Sequence, residues 1–141
     1  MEIIVETERL FLRKMNMGDF DALYQVLADS GIMRHYPYAF DDIKVRDWIE
    51  RNMERYLEDG FGLWAVCMKD TGEMIGDCGL TLQNIGGEML PEIGYHIRRD
   101  CQRKGYAKEA AKAVMDWAFR NTEYPDEANG ITLVSVVYRR P

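Results

Sequence analysis

The most basic stretch of this sequence surrounds a glycine that comes just before an apolar pattern of helical spacing. Gly105 precedes the segment 106–121, and the first turn of such a helix has backbone N–H groups without intrahelical partners. Glycine lets the backbone approach an anion closely, and Ala107 keeps the next turn narrow. A phosphate or pyrophosphate site is therefore expected, although a solvated loop before a capped helix has the same composition. The neighbouring cations are Arg98, Arg99, Arg103, Lys104 and Lys108.

The hydrophobic pattern predicts the elements that would position this stretch. Alternating apolar and polar residues indicate strands, whereas apolar residues spaced three and four apart indicate helices. The sequence has no repeat, low-complexity segment or linker, so one domain over residues 1–141 is expected. The predicted elements are strand 6–14, helices 18–31 and 41–58, strands 61–69, 73–83 and 89–98, helix 105–121 and strand 131–138.

This order, β-α-α-β-β-β-α-β, predicts an α/β (α+β) fold in which a mixed central sheet is flanked by helices. The last β-α-β piece is expected to form a parallel strand pair with a right-handed crossover.

Charge and composition exclude several classes of function. The 18 Lys and Arg against 24 Asp and Glu give a net charge of −6, which argues against nucleic-acid binding. No apolar run approaches the roughly 20 residues of a membrane span, and the acidic start is unlike a signal peptide. The three cysteines lack CxxC spacing and the two histidines lie far apart. We therefore expect reduced thiols, no metal site and a cytoplasmic location.

Three segments carry a resemblance to a known family. Segment 102–107 (QRKGYA), between a predicted strand and a helix, resembles the Q/R-x-x-G-x-G/A acetyl-CoA motif of the GNAT superfamily of N-acetyltransferases. Segments 7–13 (TERLFLR) and 75–80 (IGDCGL) are similar to the RimJ/RimL-like branch, which acetylates ribosomal-protein N-termini. The resemblance covers residues 6–121. It implies acetyl transfer from acetyl-CoA to a primary amine, on a protein N-terminus or a small molecule, by direct attack in a ternary complex.

The resemblance also implies which residues bind acetyl-CoA (coenzyme A). Backbone amides of residues 103–108 would hold the pyrophosphate. The backbone of Ile97 and Arg98 would pair with the pantetheine arm and the acetyl carbonyl, where the fourth and fifth strands splay apart. The implied cofactor-binding set is Ile97, Arg98, Gln102, Arg103, Lys104, Gly105, Tyr106, Ala107 and Lys108.

An amine acceptor implies a need for a base. Deprotonating a lysine amine at neutral pH costs roughly 4–5 kcal/mol, against about 1 kcal/mol for an α-amine. Glu92 is the candidate base, because Glu92, Gly94 and His96 share one strand face and relatives often carry a glutamate there. His96 is the candidate for a water relay. The alternatives are a solvated or ion-paired carboxylate at Glu92 and a packed, hydrogen-bonded histidine at His96.

Two other features have either a role in the site or an ordinary structural role. The helix dipole accounts for Glu109 without catalysis. Four aromatic residues either line an acceptor pocket or belong to the core. They are Tyr36, Tyr38, Phe40 and Trp48.

The sequence departs from the family pattern at its end. Family members continue after the fifth strand with an Asn-x-x-Ser segment, a helix and two strands, whereas this chain ends at Pro141. We therefore expect the C-terminal helix and strands to be missing, with Tyr138 a poor substitute for the general acid. The uncovered sheet edge predicts a homodimer or a chain of low stability. The alternative function is a non-catalytic acyl-CoA-binding or scaffold domain.

Overall fold

A five-stranded antiparallel sheet with helices on both faces organises the chain. The computed structural model describes residues 2–123, except for the side chain of Ile85. The strands lie in sequence order across the sheet, and every neighbouring pair is antiparallel. The elements are β1 Ile3–Glu6, β2 Leu10–Arg13, α1 Phe20–Leu27, α2 Asp42–Glu58, β3 Leu63–Met68, β4 Met74–Ile85, β5 Glu88–Ile97 and α3 Tyr106–Asn121, with 3₁₀ turns at Met17–Asp19 and Arg99–Cys101.

The predicted order of elements is confirmed within the described residues, with one correction at the start. The predicted first strand, residues 6–14, corresponds to β2, whereas the separate strand β1, which pairs with β2 with Val5 opposite Leu12, was not predicted. Thr7 N–H donates to Leu10 O at 2.9 Å in the tight connection between them. The sequence did not predict β1 because its short run has no clear alternation. The predicted strand 131–138 and its parallel pairing lie outside the described residues.

The β4–β5 hairpin is the longest ladder and carries most of the candidate site. It pairs Asp77 with His96 and Thr81 with Glu92. Directly opposite residues share a face, so these four side chains lie on one side of the sheet. α2 covers that side, since Trp48 contacts Asp77. α3 packs on the opposite side, where Trp117 meets Trp64 of β3 at 4.8 Å between ring centroids.

Glycines allow the close approach of the strands beside His96. A Cβ atom at Gly76 would lie 2.0 Å from His96 O, and one at Gly79 would lie 2.0 Å from Gly62 O. No side chain fits at such distances without moving the backbone. The segment 75–80 therefore owes its two glycines to the packing of β4 against its neighbours.

Buried polar contacts fix α2 against the sheet. Asp41 caps the helix by accepting from Lys44 N at 2.9 Å. Asn52 is fully buried, and its Oδ1 accepts from Leu63 N at 2.9 Å. The hydroxyl of Tyr56 accepts from Met15 N and donates to Leu63 O. These contacts hold α2 at a defined height above β3 and β4, and so set the position of Trp48.

Candidate functional site

A cleft of about 940 Å³ opens between the end of β5 and the start of α3. β5 forms one wall, α3 forms another, and the segment 31–34 after α1 closes one end. Most of the residues implied to bind acetyl-CoA meet here. The lining residues from that set are Ile97, Gln102, Arg103, Gly105, Tyr106, Ala107 and Lys108.

The charged side chains that line this cleft are arginines and lysines. No carboxylate lines it among the described residues, although the whole chain carries a net charge of −6. Such a concentration of positive charge in an acidic protein favours an anionic ligand. The lining cations are Arg34, Arg99, Arg103, Lys108 and Lys112.

The loop that enters α3 has an unusual backbone. Arg103 has a φ of 65° and is the one non-glycine residue with positive φ among those described. Gly105 follows with a φ of 85° and a ψ of 4° as the N-cap of α3. Left-handed residues in such a turn aim successive N–H groups to one side, which makes an anion-binding concavity. A non-glycine residue held in this region is a mark of functional sites.

The backbone groups of Ile97 and Arg98 point to different sides of the end of β5. Arg98 N–H donates to Ile75 O of β4 at 2.8 Å, so this amide is already engaged inside the sheet. Because an antiparallel ladder alternates, the backbone groups of Ile97 point to the outer side of β5. There Gln102 Nε2 donates to Ile97 O at 2.9 Å. Gln102 of the acetyl-CoA motif therefore ties the loop to the strand end.

The side chains of Arg98 and Lys104 do not line the cleft that the described residues form. Arg98 is turned toward Asp100 at 2.6 Å and Glu73 at 3.1 Å, and hydrogen bonds to these two carboxylates raise its pKa further. Lys104 is in the loop, but its carbonyl accepts from Arg9 Nη1 at 2.9 Å. Of the five cations that the sequence placed in this stretch, Arg98 and Lys104 are therefore the two whose residues are not part of the lining.

Among the described residues, His96 is the one ionisable group on the α2 side of the sheet that lines the cleft. Its Nδ1 lies 2.9 Å from Asp77 Oδ1, and its Nε2 lies 3.2 Å from the Tyr36 hydroxyl. Trp48 Nε1 donates to the other oxygen of Asp77 at 3.0 Å. His96 therefore has a carboxylate beside one ring nitrogen and a hydroxyl beside the other.

Glu92 shares the sheet face of His96, as predicted, but sits elsewhere on it. It lies opposite Thr81 and its residue is only 5% exposed. Four residues of strand place it about 13 Å from His96. Glu92 does not line the cleft of the described residues, so the two candidate catalytic residues are not brought together.

Three of the four predicted aromatic residues gather around His96. Tyr36 and Trp48 lie 5.9 Å and 5.7 Å from its ring, between centroids, and Phe40 contacts both of them. Tyr38 is apart from this group, 56% exposed and beside Lys44. Tyr36, Phe40 and Trp48 are partly buried and pack against the core, and none of them is among the residues that line the described cleft.

Sequence reasoning did not identify Asp77 as part of the site. The signal was present, since Asp77 is the one charged residue in the apolar segment 75–80. It is fully buried, and a buried carboxylate requires partners. The pairing with His96 follows only from the register of β4 and β5.

The described residues also bear on other kinds of site. No group of three or more His, Cys, Asp or Glu side chains within residues 2–123 is placed to hold a metal ion. None of the described helices has the length and apolar character needed to cross a membrane. Cys67, Cys78 and Cys101 form no disulfide bond, and burial raises the pKa of Cys101 at the cleft.

Comparison with known proteins gives the family. Residues 9–138 match the Acetyltransferase (GNAT) domain. The uncharacterized protein YkkB of Bacillus subtilis is 34% identical over 119 residues, which are 84% of this chain and 69% of the relative. The crystal structure of an acetyltransferase from Agrobacterium tumefaciens superposes with a TM-score of 0.70 and 26% identity, covering 92% of this chain and 77% of that one.

A third comparison shows the fold alone. RimL, a ribosomal L7/L12 alpha-N-protein acetyltransferase solved with coenzyme A, has a TM-score of 0.67 at 20% identity, covering 84% of this chain and 68% of that one. The chain spans 64% to 69% of the length of three Bacillus relatives. Since the domain match extends over most of the chain and agrees with its sheet and cleft, this protein belongs to the GNAT family of acetyl-CoA-dependent N-acetyltransferases.

Proposed function

We propose that this protein transfers an acetyl group from acetyl-CoA to a primary amine, by direct attack within a ternary complex. The observation that carries the proposal is the cleft between β5 and α3, where cations and a left-handed loop adjoin a helix N-terminus. This arrangement suits a pyrophosphate ligand. The acceptor is a protein N-terminus or a small amine, as in the RimJ/RimL-like branch that the motifs resemble.

Different residues around the cleft bind different parts of acetyl-CoA. The backbone amides of residues 103–108 hold the pyrophosphate, helped by the Arg103 and Lys108 side chains that line the cleft. The outer edge of β5 at Ile97 receives the pantetheine arm. When bound, acetyl-CoA supplies the thioester carbonyl that the amine attacks.

The proton of the acceptor ammonium passes to His96. His96 lines the cleft, with the Tyr36 hydroxyl 3.2 Å from Nε2, and Asp77 at 2.9 Å from Nδ1 would stabilise the imidazolium that forms. The amine nitrogen then bonds to the acetyl carbon and the C–S bond breaks. The second amine proton ends on the thiolate that leaves. Glu92, away from the cleft, is the second candidate for the base.

Calorimetric titration with acetyl-CoA tests the binding part of this proposal. We expect saturable micromolar binding, and we expect Gly105→Glu to abolish it, because a lining residue becomes negative, is strained at a φ of 85° and places its Cβ 3.3 Å from Arg9 Nη2. Gly72→Glu is the matched control. Gly72 has a φ of 77°, and a Cβ atom there would meet nothing within 4 Å.

Three outcomes separate the alternatives. Equal binding by the Gly105→Glu variant and the wild type would contradict the proposed site. Binding without acetylation of any amine in a panel of peptides and polyamines would favour the non-catalytic acyl-CoA-binding domain. We expect the wild type to bind acetyl-CoA and to acetylate an amine. We expect both properties to be lost in Gly105→Glu and kept in Gly72→Glu.

A further inference from the structure

Glu109, in the first turn of α3, is the centre of a cluster that reaches the N-terminal motif. Its Oε2 accepts from Thr7 Oγ1 at 2.5 Å and from Arg9 N at 3.0 Å. Its Oε1 accepts from Arg9 Nε at 2.7 Å and forms an ion pair with Arg9 Nη2 at 2.7 Å. Both carboxylate oxygens therefore bind segment 7–9, which lies about 100 residues earlier in the chain.

The other end of the Arg9 guanidinium holds the loop that enters α3. Nη1 donates to Lys104 O at 2.9 Å. The guanidinium also lies over the ring of Tyr106, 4.3 Å from its centroid. A planar guanidinium with donors at fixed angles suits such a bridge, whereas a lysine ammonium does not. Arg9 thus joins Glu109, Lys104 and Tyr106 in one arrangement.

The contact to Lys104 O fixes the direction of the next amide. A trans peptide unit is planar, so its C=O and N–H point to opposite sides. With Lys104 O held toward Arg9, the N–H of Gly105 points away from Arg9. Gly105 lines the cleft, on the side where the anion is expected.

We propose that Thr7, Arg9 and Glu109 form a clamp that orients the Lys104–Gly105 peptide for the pyrophosphate of acetyl-CoA. These three are positioning residues, since they act through the loop backbone. The inference rests on the proposed function for its ligand. The inference gives segment 7–13 a role in cofactor binding. From the sequence, this segment showed only a similarity to the RimJ/RimL-like branch.

The ionisation of Glu109 agrees with this arrangement. Burial alone would raise its pKa, but hydrogen bonds from Thr7, from the Arg9 amide and from the Arg9 guanidinium together outweigh burial and lower the pKa. The carboxylate is therefore charged throughout the neutral range. Its side chain is 19% exposed and that of Arg9 is 40% exposed, so the ion pair is partly shielded from water.

The test compares Arg9→Met, Glu109→Gln and Thr7→Val with the wild type. We expect the Kd and KM for acetyl-CoA to rise about 10-fold in Arg9→Met and Glu109→Gln, because each weakens several charge-assisted contacts of the clamp. We expect a smaller rise in Thr7→Val, which removes one such contact. The KM for the acceptor amine should stay unchanged. Arg9→Lys should restore little, because an ammonium cannot hold both Glu109 and Lys104 O.

Hydrogen exchange of the amides of residues 103–108 in the ligand-free protein gives a second readout. We expect faster exchange in Arg9→Met and Glu109→Gln. Lys69→Gln is the matched control, since it removes the Lys69–Glu6 ion pair at 2.8 Å beside the same hairpin. It should change neither exchange nor Kd.

The outcomes distinguish this inference from the proposed function. If the wild type binds acetyl-CoA and the Arg9 and Glu109 variants bind it equally well, the clamp is overturned. Unchanged exchange at residues 103–108 would overturn it as well. A wild type that does not bind acetyl-CoA would contradict the proposed function, while the exchange data would still decide whether the clamp orders the loop. If Arg9→Met fails to fold, Glu109→Gln and Thr7→Val give the same comparison.

Discussion

Asp77 is fully buried, and each of its carboxylate oxygens has its own partner, His96 on one side and Trp48 on the other. Since a buried carboxylate requires hydrogen-bonding partners, His96 and Trp48 satisfy Asp77, and the same contacts orient the His96 ring.

The first prediction at the scale of residues concerns which ionisable group takes the proton. In His96→Gln and Asp77→Asn we expect kcat to fall about 100-fold or more, the usual contribution of a positioned general base. In Glu92→Gln we expect a much smaller change, because Glu92 lies away from the cleft. Steady-state kinetics with one amine acceptor measure all three, and thermal unfolding shows whether each variant is folded.

The reverse ranking would assign the base to Glu92. A large loss in Glu92→Gln, with His96→Gln close to wild type, would make His96 a structural histidine. Rescue of His96→Gln by added imidazole would further support a proton-transfer role.

The sequence predicted these residues unevenly. His96 and Glu92 were found because they share a strand face, a property of the backbone period. Asp77 was missed because its role depends on which residue of β4 lies opposite His96, and register is a property of two strands together. For the same reason the sequence could not place Tyr36, which reaches His96 from a loop 60 residues away.

Elements begin where the sequence has local signals, and those were predicted well. α2 begins after Asp41, whose side chain caps it, and α3 begins after Gly105, which is left-handed. The separate strand β1 depends on pairing with β2, and it was not predicted. The contact of Glu109 with segment 7–9 is a tertiary property too, and the helix dipole alone gave no reason to expect it.

The second prediction belongs to α3 and its attachment to the N-terminal hairpin. The pKa of Glu109 is lowered on folding, so the charged form stabilises the fold above the unfolded pKa of about 4.3. That contribution is lost as pH falls through the lowered folded pKa. We expect Glu109→Gln to cost about 1–3 kcal/mol at pH 7 and to cost less as the pH falls below about 4.

Urea unfolding at a series of pH values measures this difference. The free energy of unfolding of wild type and variant should converge in acid. A difference that is constant from pH 7 to pH 3 would contradict a role for the charge of Glu109. Lys69→Gln again serves as the comparison, because its exposed ion pair should contribute little.

At the scale of the whole molecule, the homodimer predicted from the sequence stays a prediction. β5 is the outermost described strand on its side of the sheet, and α2 exposes Leu57 and Met53, which are 89% and 38% exposed. Apolar side chains exposed on a helix favour association. We expect sedimentation equilibrium to show a dimer whose dissociation depends on concentration. A monomer at all concentrations, with a sharp thermal transition at high temperature, would contradict it.

The segregation of charge between the cleft and the rest of the protein has a kinetic consequence. The protein as a whole is acidic, yet the side chains that line the cleft carry only positive charge among the described residues. A diffusing polyanion is repelled by most of the surface and attracted at one opening, so more of its collisions occur where binding takes place. Salt at physiological strength limits this guidance to roughly the last 8 Å of approach. Charge would thus govern how fast a small anion enters, and it would turn away acidic macromolecules that are too large to fit the opening.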